Sequence, residues 1–92
     1  MKEEDDLFNH RKPFSYNNMG YLYENGLGVP QDHAKAFEYY YEAAKLEDST
    51  GECNLAFCYL NGIGVDRDKK MAKYWLGKAS YSARRDFLMR YC

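Results

Sequence analysis

Apolar and aromatic residues recur three and four apart at Tyr16, Met19, Leu22 and Tyr23, the spacing of one helix face, and predict an amphipathic helix from about Ser15 to Asn25. Pro13 precedes it and Gly26 ends it. After Gly26-Leu27-Gly28-Val29-Pro30, Asp32 stands where a carboxylate can accept the orphan N–H groups of a second helix. That helix carries Ala36, Phe37, Tyr39, Tyr40, Ala43 and Ala44 and runs to about Leu46. Glu47-Asp48-Ser49-Thr50-Gly51 reads as a polar link. The pattern then recurs: a helix from about Glu52 to Asn61, a cap at Asp68, and a helix from about Lys69 to Ser80.

The recurrence is a repeat. Asn18 to Val29 and Asn54 to Val65 align at a constant offset of 36 residues, and Asp32 falls on Asp68, Ala36 on Ala72, Tyr39 on Trp75 and Ala43 on Ala79. A period in this range is the signature of stacked helical hairpins. Small residues at Gly20, Ala56, Ala36 and Ala72 let the two helices of a hairpin approach, while Tyr23, Tyr59, Tyr39 and Trp75 fill the space that remains. The expected architecture is all-α: an α-solenoid of antiparallel helix pairs forming a single domain over 1–92. Repeat one spans about 15–50, repeat two about 51–81, and a C-terminal capping helix about 82–92.

Composition narrows the classes. No apolar run approaches the roughly 20 residues that span a bilayer, and the acidic start Met1-Lys2-Glu3-Glu4-Asp5-Asp6 is not that of an export signal; the expected compartment is the cytoplasm, with no membrane partner. A net charge of −1 argues against a chain built mainly to bind nucleic acid. The charges are sorted, however. Residues 1–52 hold 5 Lys/Arg against 11 Asp/Glu, and residues 53–92 hold 8 against 3. In a stack, sequence order is spatial order, so one end is acidic and the other basic, which suits head-to-tail pairing of copies into a homo-oligomer.

At this point the residues identify a family. Asn18-Met19-Gly20-x-x-Tyr23-x-x-Gly26-x-Gly28-Val29-x-x-Asp32-x-x-Lys35-Ala36-x-x-Tyr39-Tyr40-x-x-Ala43-Ala44 resembles the Sel-1-like repeat, a relative of the tetratricopeptide repeat. The second copy matches through Tyr59, Gly62, Gly64, Val65, Asp68, Ala72, Trp75, Lys78 and Ala79. The resemblance implies right-handed stacks of helix pairs that serve as adaptors and scaffolds, binding a protein or peptide and sharing no chemistry. A cysteine-rich branch of the family staples each hairpin with a disulfide and has been linked to weak β-lactam binding or hydrolysis. Cys53 falls on one of those positions, but its expected partner is Ala44, and the next pair would be Ser80 and Met89; the staple is absent, and the β-lactam alternative loses its support with it. A stoichiometric inhibitor or immunity-type protein, neutralising one effector with the same surfaces, is the other alternative.

The chain carries little recognisable chemistry. Gly26-Leu27-Gly28 and Gly62-Ile63-Gly64 follow no strand and precede no P-loop lysine, so they are turns and not phosphate cradles. His10 and His33 have no partner set, no Ser-His-Asp arrangement is recognisable, and Cys53, Cys58 and Cys92 lack metal-type spacing. No catalysis, cofactor or metal is expected.

Binding in such stacks uses the concave face of the first helices. The positions pointing away from Gly20 and Tyr23 are Asn17, Tyr21, Glu24 and Asn25, with Cys53, Phe57, Leu60 and Asn61 as their repeat equivalents. These eight are the candidate partner-binding residues. Tyr21 and Phe57 would form an aromatic stripe, although Phe57 and Leu60 equally suit packing between repeats. The groove offers asparagines, a glutamate and aromatics where tetratricopeptide relatives that clamp a C-terminal carboxylate use lysine and arginine, so no carboxylate clamp is expected.

Overall fold

The computed structural model describes residues 13–79. Four helices follow one another: α1 (Pro13–Asn25), α2 (His33–Lys45), α3 (Ser49–Asn61) and α4 (Lys69–Lys78), and no strand occurs among the described residues. Helices α1 and α2 pack as one hairpin and α3 and α4 as the next. The hairpins stack through α2 against α3, with a narrower contact between α1 and α3. This is the all-α stack of antiparallel pairs that the repeat predicts. The expected C-terminal helix at 82–92, Cys92 and His10 lie outside the described residues.

The two hairpin turns share two backbone bonds. Leu27 N–H donates to Leu22 O at 2.9 Å as Ile63 does to Cys58 O, and Asp32 N–H donates to Tyr23 O as Asp68 does to Tyr59 O, both at 2.9 Å. Asp32 then accepts from Lys35 N–H, and Asp68 from Lys70 and Met71 N–H, so each second helix starts on the cap its sequence predicts. Helix α1 begins at Pro13 and α4 ends at Lys78, each two residues from the expected bound, and the start of α3 differs by three. Helix α3 begins at Ser49 because Asp48 caps it, its Oδ2 accepting from Gly51 N–H at 2.8 Å; most of the stretch read as a polar link is therefore the first turn of a helix. Glu47, at φ 62°, makes the reversal that lets Asp48 reach this position.

Glycine is required where the hairpins meet. A Cβ on Gly51 would stand 2.6 Å from Ala43 Cβ and 2.9 Å from the α2 backbone, so α3 can lie on α2 only with no side chain there. Around this contact Ala36, Tyr40, Ala44, Leu55, Ala56, Cys58 and Trp75 form the main core. Rings extend it across the junction, where Phe37 meets Tyr59 edge-on at 5.5 Å and Tyr41 meets Trp75 at 6.3 Å; within α4, Tyr74 meets Trp75 at 5.2 Å. The Nε1–H of Trp75 is buried with no hydrogen-bond partner among the described residues.

Glu52 is only 3% exposed in the first turn of α3. Burial raises its pKa above the usual 4.5; Lys78 opposes the shift, and Asp48 and Glu47 add to it. A raised carboxyl pKa means that the fold favours the protonated acid, a contribution present below pH 4.5 and lost as pH rises through the folded-state value. Glu52→Gln, neutral at every pH, should therefore raise Tm at neutral pH and match the parent below pH 4.5, as measured by thermal circular dichroism.

Candidate functional site

Helix α1 turns Asn17, Tyr21 and Glu24 toward α3, and the start of α3 answers with Thr50 and Asn54; together they line a groove of about 620 Å³. Phe14, Asn18, Asn25, Tyr40 and Asp48 complete its walls. Phe14 is 78% and Tyr21 52% exposed, so the groove carries two large rings with faces open to solvent.

Its polar groups are held in place. Asn17 Nδ2 donates to Asp48 Oδ2 at 2.8 Å, and Asn17 Oδ1 accepts from Asn54 Nδ2 at 3.2 Å. These opposed demands fix the orientation of the Asn17 amide and tie α1 to α3 across the floor of the groove. Glu24 Oε1 accepts from the Tyr40 hydroxyl at 2.7 Å, which connects the groove to the buried α2 face. Asn25 Nδ2 donates to Tyr21 O at 3.0 Å and so closes the end of α1; Asn61 does the same at α3 through Phe57 O at 3.1 Å.

The sequence-derived candidates divide by repeat. Asn17, Tyr21, Glu24 and Asn25 all line the groove. Cys53, Phe57, Leu60 and Asn61 do not. Cys53 is buried against Ala79, Phe57 is half-buried in the same cluster, and Leu60 lies on an apolar cleft with Ala56, Lys69, Ala72, Lys73 and Leu76. The single aromatic stripe expected of Tyr21 and Phe57 is thus split, with Phe57 in its packing role. The reason is the stacking itself: Thr50 and Asn54 sit 36 residues after Phe14 and Asn18, so the α3 face that meets α1 is the equivalent of 14 and 18, not of 17, 21 and 24. Translating the α1 set by one repeat carries it to the far side of α3. Asp48 was within reach of sequence reasoning, because an Asp three residues before Gly51 is a cap pattern; its bond to Asn17, 31 residues away, had no local signal.

Burial, aided by the charge of Glu24, pushes the Cys58 thiol up to about 12, which keeps it protonated at neutral pH. Among the described residues no group of three or more His, Cys, Asp or Glu side chains could hold a metal ion, and no helix is long and apolar enough to cross a membrane.

Residues 13–48 and 49–82 each match the model of the Sel1 repeat. A curated relative is the "ERAD-associated E3 ubiquitin-protein ligase component HRD3B" of Arabidopsis thaliana, 45% identical over 58 residues, which are 62% of this chain and 10% of that protein. Among solved structures, a Sel1 repeat protein from Oxalobacter formigenes superposes with a TM-score of 0.80 at 30% identity, over 88% of this chain and 33% of its own. The uropathogenic Escherichia coli protective antigen c5321, described as displaying an SLR fold, superposes at 0.79 with 28% identity, over 89% of this chain and 18% of its own. The chain thus spans a third or less of the proteins it matches.

Proposed function

The chain belongs to the Sel1 repeat family, and from that premise we propose that it is a non-catalytic interaction module, an adaptor or scaffold element that holds a peptide segment of a protein partner in the groove between α1 and α3. Sel1 repeats generally mediate protein–protein contact. The observation that carries the reading is the groove itself: exposed aromatic rings beside amide groups already fixed by the Asp48–Asn17–Asn54 network. Exposed aromatics are the usual anchors of interfaces, and side-chain amides match the donors and acceptors of an extended backbone. Ordering these groups before binding lowers its entropic cost. HRD3B is by its name a component of a larger enzyme, which fits a supporting role for the repeats it shares with this chain.

Tyr21→Ala tests the reading. Peptides selected from a phage-displayed random library on the parent chain should bind the variant at least about tenfold more weakly, while its circular dichroism stays helical and its Tm changes little, because Tyr21 is half exposed. Amide shift changes on peptide binding should fall on Asn17, Tyr21, Glu24 and Asn54; shifts confined to the outer faces of α2 and α4 would refute it.

A further inference from the structure

We infer that the groove selects an extended peptide carrying two cationic side chains, lysine or arginine, about three residues apart; the inference rests on the groove being the docking surface. Two carboxylates line it, and each is anchored through one oxygen only. Asp48 Oδ2 receives both Asn17 Nδ2 and Gly51 N–H, and Glu24 Oε1 receives the Tyr40 hydroxyl. Among the described residues Asp48 Oδ1 and Glu24 Oε2 have no hydrogen-bond partner, and none of those lining the groove is a lysine, arginine or histidine that would neutralise them. A cationic side chain would supply the missing donors as charge-assisted bonds.

Helix ends modify this field without reversing it. The last turn of α1, beside Glu24, adds about half a negative charge; the N-terminus of α3, beside Asp48, adds about half a positive one, which a full carboxylate outweighs. Phe14 and Tyr21 offer ring faces for the aliphatic stems and cationic heads of the same side chains.

Spacing follows from the helix. Asp48 is bonded to Asn17, and Glu24 lies seven residues further along α1, about 10 Å at the helical rise. In a polyproline II segment, side chains three residues apart share a face and stand about 9 Å apart.

The test is selection of the random phage-displayed library on the parent chain and, separately, on Glu24→Gln/Asp48→Asn. The amides of this variant keep an acceptor for the Tyr40 hydroxyl and for Gly51 N–H, so its Tm serves as the control for folding. Parent selection should enrich pairs of Lys or Arg three apart, and the best synthetic peptide should lose about tenfold or more in affinity to the double variant and weaken further as salt rises. Enriched peptides without such an excess, or equal binding to the double variant, overturn the inference. If those peptides still depend on Tyr21, the groove remains the docking surface and only its charge selectivity falls; if they do not, both readings fall. If no peptide is enriched and the chain instead self-associates at low salt in a way the double variant abolishes, the occupant is a second copy and the peptide inference is wrong.

Discussion

Gly64→Ala should destabilise the protein by about 2–5 kcal/mol, and Gly28→Ala, the same change one repeat earlier, by only about 1–2 kcal/mol. Both glycines hold left-handed backbone, at φ 72° and 77°, so both variants carry the same conformational strain. Their surroundings differ. A Cβ on Gly64 would collide with the His33 carbonyl oxygen and approach Phe37 Cβ to 2.9 Å, whereas a Cβ on Gly28 meets no described atom within 4 Å. The His33 carbonyl belongs to the first turn of α2 and cannot move without opening that helix. The difference between the two urea midpoints therefore isolates the packing of the second turn on the first hairpin. Equal losses would mean that strain alone accounts for both glycines.

Leu55→Ala should cost about 2–5 kcal/mol, the range for emptying a sealed leucine site. Leu55 is fully buried in a cluster with Ala36, Tyr40 and Ala44 of α2 and Trp75 of α4, so residues of two neighbouring helices would face the void. Met19 holds the same repeat position in α1 but is only half-buried, and Met19→Ala should cost less than half as much. Total stability in domains is about 5–15 kcal/mol, so Leu55→Ala combined with Gly64→Ala should leave little folded protein at room temperature. Denaturant titration of the two single variants and the pair checks both claims.

Much of this architecture is written locally. The 36-residue offset, the Asp32 and Asp68 caps and the paired glycine turns each determine a bond within one hairpin, and the observed helices follow them. The start of α3 was harder to read because Ser49, Thr50 and Gly51 have poor intrinsic helix propensity. They are helical because Asp48 caps them and because Gly51 alone fits against Ala43, and neither fact is visible without the neighbouring hairpin. The groove was half readable for a related reason. Helical spacing placed Asn17, Tyr21 and Glu24 on one face, but which face of α3 they meet depends on the stacking direction, and a repeat offset alone assigns equivalent residues to successive grooves.

The junction between hairpins also has an optical consequence. Trp75 is the one tryptophan among ten tyrosines, and the rings of Tyr41 and Tyr74 lie 6.3 and 5.2 Å from it. Tyr41 belongs to the first hairpin and Tyr74 to the second, so light absorbed by tyrosine on either side drains into a single emitter at the seam. Separation of the hairpins would restore tyrosine emission from the first while Tyr74 continued to feed Trp75. The chain thus carries a built-in energy-transfer gauge that distinguishes undocking from unfolding without any added dye.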